Sequence, residues 1–182
     1  RFIAGNGTIA LEILEDLPEA DAVVVPVGGG GLAAGIAAAL KALRPSARVV
    51  TAEPETAAPL AASLAAGRPV AFDGWRPSFV DGAGGRSVLP SMWPLLAGAI
   101  DRAVVVSLDE VARAMRLVAE RARVIAEGAA GCAVAAALRP ETLEASGGSG
   151  AGRPRIVAVV SGGNIDLARF ADVVGACRSD VS

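Results

Sequence analysis

Histidine and tyrosine are absent from this chain of 182 residues, and Lys41 is its single lysine. The lack of histidine removes the commonest general base and metal ligand of proteins. Aromatic residues make up 3% of the chain, and charges of both signs are interspersed, with a net charge of −2. The sequence therefore has neither the basic stripe nor the aromatic stacking surface that is typical of nucleic-acid-binding proteins.

Cysteines and long apolar runs are also scarce. Cys132 and Cys177 have no metal-ligand spacing around them, so we expect two reduced thiols, with Cys132 buried among alanines. The longest apolar stretches, such as residues 128–138, are too short to span a bilayer, and no signal-peptide pattern opens the sequence. We therefore expect a cytoplasmic protein with no membrane partner.

Apolar residues are plentiful, at 53% of the chain against 20% charged residues. A chain of this length and composition can bury one sizeable core but is short for two domains. We predict that residues 1–182 form a single globular domain.

The most informative stretch is a run of β-branched residues at 22–27, followed by Gly28-Gly29-Gly30-Gly31 and by small residues up to about Leu43. The pattern predicts a parallel strand buried on both faces, a glycine turn and a helix. Glycines let a ligand approach the backbone, and the free N–H groups of a helix N-terminus attract anions. A tight turn that needs glycine only for its dihedral angles is the alternative, but four consecutive glycines favour phosphate binding.

A dinucleotide is one possible phosphate ligand. The spacing Gly28-x-Gly30-x-x-Ala33 fits the loose dinucleotide pattern, and Glu53 ends the next predicted strand near where a ribose-binding acid would stand. For Glu53 we weigh a solvated acid at a strand end against a role in a ribose or cation site.

Helical and strand periodicities extend over most of the remaining chain. We predict further strands at residues 47–52, 103–106 and 156–160. Helices are predicted from residue 9 to near Pro18, at residues 56–66, 92–98 and 108–125, and from about 128 to 138. Ser107 is the predicted N-cap of its helix, with Ile125 at the end of its apolar face. Residues 1–4 are predicted to be strand-like, and Thr8 is a predicted N-cap. Residues 70–90 are predicted to form a long loop against the ligand edge of the sheet, and residues 144–153 a flexible loop.

A second strand-to-glycine turn is formed by Ser161-Gly162-Gly163-Asn164. By itself it is best interpreted as a turn in which Ser161 and Asn164 serve their own backbone. Together with the first glycine turn it predicts one crevice, because the carboxyl ends of parallel strands meet at the same sheet edge. The predicted fold class is α/β, an open and mostly parallel sheet with helices on both faces.

Six short motifs in this order resemble the threonine dehydratase and serine racemase family of fold-type-II pyridoxal-phosphate enzymes, over about its carboxyl-terminal two thirds. The motifs are Gly5-Asn6-Gly7-Thr8-Ile9-Ala10-Leu11-Glu12, Val27-Gly28-Gly29-Gly30-Gly31-Leu32, Ala52-Glu53-Pro54, Asp81-Gly82, Glu127-Gly128-Ala129 and Val160-Ser161-Gly162-Gly163-Asn164.

The resemblance implies a cofactor site for pyridoxal 5'-phosphate. Gly28, Gly29, Gly30, Gly31 and Leu32 would hold its phosphate, Ser161 would hydrogen-bond the pyridine nitrogen, and Gly82 and Glu127 would line the ring. The implied activity is that of an ammonia-lyase, which converts threonine or serine to a 2-oxo acid and ammonia. The implied large domain would belong to a homo-oligomer when intact.

The chain also departs from the family pattern. The segment that carries the Schiff-base lysine does not occur, so we expect a fragment without a catalytic residue of its own, and Lys41 lies too far along its helix to substitute. Some relatives bind a cation through a glutamate like Glu53 and an acid six residues on, where this chain has Pro59; we expect no metal. Unless the sequence is also truncated at its carboxyl end, the short segment after the second glycine turn would resemble the short, catabolic or racemase-like branch.

Three alternatives stay open beside the lyase. A serine racemase-like enzyme belongs to the same family. A dinucleotide-binding domain would account for the first glycine turn and Glu53, but not for the turn at Ser161. A non-catalytic binding module is compatible with the missing lysine segment.

Overall fold

The computed structural model describes residues 1–145 and 153–176. Four strands form its sheet: β1 (Ala22–Pro26), β2 (Arg48–Pro54), β3 (Arg102–Val106) and β4 (Ile156–Ala158). The strand order is β3-β2-β1-β4, and each neighbouring pair is parallel. The carboxyl ends of all four strands therefore lie at one edge of the sheet.

Helices precede β1, fill the connections between the strands and follow β4. In chain order they are α1 (Phe2–Asn6), α2 (Thr8–Asp16), α3 (Gly31–Leu43), α4 (Pro59–Ala66), α5 (Trp93–Ala97), α6 (Leu108–Ala122), α7 (Gly128–Ala137), α8 (Pro140–Ala145) and α9 (Leu167–Gly175).

The two faces of the sheet belong to two separate apolar cores. On β1, Val23 and Val25 pack in one core with Ile36 of α3. The intervening Val24 points to the other face and packs in a core with Met115 of α6 and Ala133 of α7. This division follows from the period of two along a strand. It confirms the predicted open α/β sheet with helices on both faces.

The beginning of the chain differs from the prediction. Residues 1–4 are not strand-like, because Phe2–Asn6 forms helix α1, which packs on α3 where Gly35 has no side chain to keep it away. Thr8 is not the N-cap of α2, since Gly7 takes that place and the Thr8 hydroxyl donates to the carbonyl of Gly5 at 2.9 Å. Packing against α3 outweighs the local strand preference of a short apolar run.

Two helix boundaries also need correction. Helix α4 begins at Pro59 rather than at residue 56, in line with the preference of proline for the first turn of a helix. Helix α6 ends at Ala122 because Arg123 adopts a left-handed conformation, and Ile125 is 44% exposed instead of continuing the apolar face.

The predicted cap of α6 is confirmed. The Ser107 hydroxyl accepts the N–H of Glu110, and the Glu110 carboxylate accepts the N–H of Ser107 at 2.8 Å. This reciprocal pairing satisfies backbone N–H groups that would otherwise lack a partner at the start of the helix.

The remaining expectations concern loops, cysteines and membrane segments. Residues 70–90 form the predicted long loop, crossed by one bridge between Ala71 and Ser87. Cys132 is buried as expected, whereas Cys177 and most of the predicted loop at 144–153 lie outside the described residues, with residues 144 and 145 ending α8. Among the described residues, no helix is both long and apolar enough to cross a membrane.

Candidate functional site

A cavity of about 490 Å³ opens where β1 and β4 end. Seven of the eight residues predicted for the site line it, and Glu127 is the exception. The lining residues are Phe2, Ile3, Pro26, Gly28, Gly29, Gly30, Gly31, Leu32, Gly82, Leu89, Ser91, Met92 and Ser161. The two glycine turns therefore meet in one crevice, as the sequence predicts.

The first glycine turn leads directly into α3. Gly30 is the N-cap residue, and its φ of 87° lies in the left-handed region that favours glycine. No side chain caps this end of α3, and its first turn contains no acidic residue. The backbone N–H groups and the positive end of the helix dipole are therefore available to an anion in the cavity.

The glycines of this turn have different surroundings. A Cβ on Gly28 would lie 2.8 Å from the carbonyl oxygen of Gly82, and a Cβ on Gly31 would lie 2.6 Å from Cε1 of Phe2. A Cβ on Gly29 would meet nothing within 4 Å. Close backbone packing thus accounts for the absence of a side chain at Gly28. Gly31 faces only the ring of Phe2, which is 77% exposed, and Gly29 borders open space in the cavity.

Ser161 lies beside this turn because β4 pairs with β1. The pairing brings Ala158 opposite Val24, and the N–H of Val159 donates to the carbonyl of Val24 at 2.9 Å. Ser161 follows two residues later, is exposed, and contributes to the cavity wall. It supplies a neutral hydroxyl to a cavity whose other end is the positive helix terminus.

Glu127 stands behind this wall. It is the N-cap residue of α7, and its N–H donates to the carbonyl of Gly162 at 3.1 Å. Its Oε1 lies 2.6 Å from the place of a Cβ on Gly162 and 3.3 Å from that of a Cβ on Gly82. The carboxylate thus fills the space between two glycines, and Glu127 faces a separate polar cavity of about 200 Å³ beside Asp81 and Arg169.

Glu53 has a different environment from those that the sequence suggested. Its side chain is 0% exposed and accepts hydrogen bonds from the N–H groups of Leu60 at 2.9 Å and Ala61 at 2.8 Å. Burial raises the pKa of Glu53 from 4.5 to about 7, although these two hydrogen bonds oppose the increase. Glu53 is therefore not a solvated acid, and it is directed to the start of α4 instead of to a ribose.

Lys41 lies near the carboxyl end of α3, away from the cavity. Its Nζ forms an ion pair with Asp101 at 2.7 Å and donates to the carbonyl of Ala47 at 3.2 Å. The Asp101 carboxylate also accepts the N–H of Val49 at 2.7 Å. Lys41 therefore joins α3 to the beginning of β2.

The sequence interpretation missed several residues of the cavity wall. Phe2 and Ile3 line it because α1 folds next to the glycine turn, which the predicted strand at residues 1–4 concealed. Leu89, Ser91 and Met92 line the opposite part. For this part of the wall, the sequence gives one indication, which is the prediction that the long loop lies against the ligand edge of the sheet.

The described residues contain no group of three His, Cys, Asp or Glu side chains that could hold a metal ion.

Comparison with known proteins assigns the chain to a family. Residues 1–162 match the family described as pyridoxal-phosphate dependent enzyme. The L-threonine ammonia-lyase of Thermotoga maritima is 39% identical over 167 residues, which cover 92% of this chain and 39% of that protein. The serine racemase of Homo sapiens is 40% identical over 165 residues, covering 91% of this chain and 47% of that protein.

A solved structure agrees with these sequence relatives. Maize serine racemase superposes with a TM-score of 0.83 at 35% identity, over 94% of this chain and 52% of the maize chain. The chain thus spans about half of the length of these relatives, or less. Its fold, its glycine turns and the match over residues 1–162 lead to one conclusion: the chain belongs to the family of pyridoxal-phosphate dependent enzymes.

Proposed function

We propose that this chain forms the cofactor site of a pyridoxal-phosphate-dependent ammonia-lyase that converts threonine or serine to a 2-oxo acid and ammonia. The observation that carries the proposal is the cavity that combines the turn Gly28-Gly29-Gly30-Gly31 with the Ser161 hydroxyl. The similarity to the L-threonine ammonia-lyase of Thermotoga maritima supports the lyase activity.

The phosphate end of the cavity fits the cofactor. The N-terminus of α3 has no capping side chain, and the backbone at Gly29 faces open space. A phosphate dianion placed there would accept hydrogen bonds from the backbone N–H groups of residues 29–32 and would be stabilised by the helix dipole. Because Gly28 packs against the backbone of Gly82, the start of the turn is held against the long loop.

The other end of the cavity fits the pyridine ring. The Ser161 hydroxyl would hydrogen-bond the ring nitrogen, and Gly82 would leave room beside the ring because it has no side chain. Glu127 would support Gly82 and the turn after Ser161 from behind, because its carboxylate lies against Gly82 and Gly162. A neutral hydroxyl does not enforce protonation of the ring nitrogen as a carboxylate would, which suits elimination better than a long-lived carbanion.

Bound pyridoxal phosphate supplies an electron sink for negative charge at the α-carbon of the amino-acid substrate. Removal of the α-proton needs a base, and Lys41 cannot supply it because its amine is held by Asp101 at the far edge of the sheet. We therefore assign to this chain the binding and orientation of the cofactor. We expect no turnover by residues 1–182 alone, because the Schiff-base lysine of the family pattern is not in this sequence.

Serine racemisation is the second candidate. The similarity to the serine racemase of Homo sapiens, at 40% identity, favours it. For the protein expressed from its complete coding sequence, release of 2-oxobutanoate from threonine or pyruvate from serine would support the lyase. Formation of D-serine without a 2-oxo acid would support the racemase.

The proposal is tested by calorimetric titration of the chain with pyridoxal phosphate and, in parallel, with NADH. We expect saturable binding of pyridoxal phosphate and none of NADH. Gly29→Asp places a carboxylate in the open space at the phosphate end, so binding should be lost. Ser161→Ala removes one hydrogen bond and should weaken binding by about fivefold to tenfold.

Ser46→Ala is the matched control for Ser161→Ala, since Ser46 is also an exposed turn residue but precedes β2 at the opposite edge of the sheet. It should bind pyridoxal phosphate like the unmodified chain. Binding of NADH without binding of pyridoxal phosphate would overturn the proposal and favour the dinucleotide alternative. Equal affinities of all variants for pyridoxal phosphate would show that the cofactor binds elsewhere.

A further inference from the structure

Glu53 is the most deeply buried carboxylate among the residues whose burial the structure describes, and the site does not use it. It belongs to β2, its side chain is 0% exposed, and each of its two oxygens accepts one backbone N–H from the first turn of α4. Leu60 and Ala61 are the donors, at 2.9 and 2.8 Å. The carboxylate therefore replaces the capping side chain that α4 lacks at Ala58.

The family resemblance raises the possibility of a cation at this place, because some relatives use such a glutamate together with an acid six residues later. In this chain the sixth residue is Pro59, the first residue of α4, which is buried and has no side-chain ligand to offer. Both Glu53 oxygens are engaged by N–H donors, and the described residues hold no group of three potential metal ligands. The residues present do not fit a divalent cation, which requires six or more oxygen ligands, several of them from the protein or water.

We propose that in this chain the N-terminus of α4, and not a divalent cation, is the counter-charge of Glu53, so that the start of α4 is anchored without a metal ion. The positive end of a helix and its free N–H groups stabilise a carboxylate in the same way as they stabilise a bound anion.

The anchor is connected to the cavity by close backbone contacts. Ala57, which lies just before α4, packs so tightly on Gly84 that a Cβ on Gly84 would collide with the Ala57 carbonyl oxygen. The N–H of Gly84 donates to the carbonyl of Val27 at 2.6 Å, directly before Gly28. Displacement of the start of α4 would therefore reach the glycine turn through Gly84.

Metal binding is tested directly with Mn²⁺. The chain is freed of metal with EDTA and titrated with MnCl₂, bound Mn²⁺ is measured by electron paramagnetic resonance, and the midpoint of thermal unfolding is recorded at each step. Glu53→Gln removes the buried charge but keeps one acceptor for α4. Glu55→Gln is the control, because Glu55 is an exposed acid two residues along the chain. MgCl₂ and CaCl₂ are compared with NaCl at equal ionic strength.

We expect the unmodified chain to bind no more Mn²⁺ than Glu53→Gln, and we expect divalent salts to shift the unfolding midpoint no more than NaCl. Saturable Mn²⁺ binding by the unmodified chain and by Glu55→Gln, but not by Glu53→Gln, would overturn the proposal. Should Glu53→Gln fail to fold, the unmodified chain decides the question: saturable uptake that raises its midpoint overturns the proposal, and no uptake supports it.

The anchoring role has its own test. Glu53→Ala leaves the buried N–H of Leu60 and the partly buried N–H of Ala61 without acceptors. At pH 5 its unfolding midpoint should therefore fall by about 5 °C or more, whereas Glu55→Ala should change it little. An unchanged midpoint in Glu53→Ala would show that Glu53 does not anchor α4.

Discussion

Gly28 and Gly82 meet backbone against backbone, and a Cβ on Gly28 would lie 2.8 Å from the Gly82 carbonyl oxygen. Both residues line the cavity, one from the turn after β1 and the other from the long loop. Since neither partner in this contact is a side chain, the collision could be relieved only by moving backbone. The shape of the cavity wall at this point therefore depends on the close backbone contact between Gly28 and Gly82.

Gly28→Ala is therefore expected to destabilise the fold by about 1–3 kcal/mol, the usual cost of overpacking, and to weaken binding of pyridoxal phosphate. Gly29→Ala is the matched control, because its Cβ would meet no atom within 4 Å. Urea denaturation of the two variants compares their free energies of unfolding. Equal stability of the two variants would contradict the backbone contact.

Gly162 and Glu127 should show a coupling energy. A Cβ on Gly162 would lie 2.6 Å from Oε1 of Glu127, so Gly162→Ala should push this carboxylate aside and destabilise the fold. In the double variant Gly162→Ala/Glu127→Ala the obstructing carboxylate is gone, and part of the lost stability should return. We expect a coupling of about 1 kcal/mol in the double-mutant cycle; strictly additive effects would rule out the contact.

The burial of Glu53 predicts a pH-dependent stability. Its pKa rises from 4.5 to about 7 on folding, so the folded chain holds the Glu53 proton more tightly than the unfolded chain. The part of the stability that is linked to this proton is therefore fully present below pH 4.5 and is lost as the pH rises through about 7, and the hydrogen bonds from Leu60 and Ala61, which favour the charged form, reduce the size of this loss. This pKa shift corresponds to a change of about 3 kcal/mol in the free energy of unfolding.

Denaturation at several pH values between 5 and 8 measures the slope of the free energy of unfolding against pH. Glu53→Gln should reduce this slope. Glu55→Gln should keep it. Burial raises the pKa of Cys132 on α7 to about 12, and the nearby charge of Glu53 adds to the increase. The Cys132 thiol therefore stays neutral throughout this pH range. A slope that persists unchanged in Glu53→Gln would assign the pH dependence to other groups.

Lys41→Gln should leave binding of pyridoxal phosphate unchanged, because Lys41 serves the opposite edge of the sheet. The ion pair with Asp101 is about one third exposed on both sides, at 32% and 33%, so its loss should cost at most about 1 kcal/mol. Calorimetry and urea denaturation check the two expectations. Loss of cofactor binding in Lys41→Gln would bring Lys41 back as a site residue.

The strands and both glycine turns could be predicted from the sequence because their signals are local. Uninterrupted β-branched runs are typical of strands buried on both faces, and four consecutive glycines between such a strand and a helix are typical of an anion-binding turn. The parallel order of the sheet then brings Ser161 next to Gly28, and no residue-level contact has to be known for that inference.

The places of Glu127 and Glu53 could not be predicted in the same way. Glu127 is positioned by backbone that is distant in the sequence. Glu53 is positioned by a helix that begins three residues later than predicted. Glu127 fills the space between Gly82 and Gly162, and Glu53 meets α4 only because that helix begins at Pro59. A side chain directed by packing leaves no periodic signal in the sequence.

Because the sequence has a single lysine, a fluorescent label can be attached at one defined side chain. Lys41 carries the single side-chain amine of the sequence, so an amine-directed dye can be placed at one side chain of α3. A fluorophore on Lys41 would lie about 15 Å along α3 from the glycine turn. At that distance, energy transfer could follow a chromophoric ligand as it enters the cavity, from an edge of the sheet where the dye does not block the entrance.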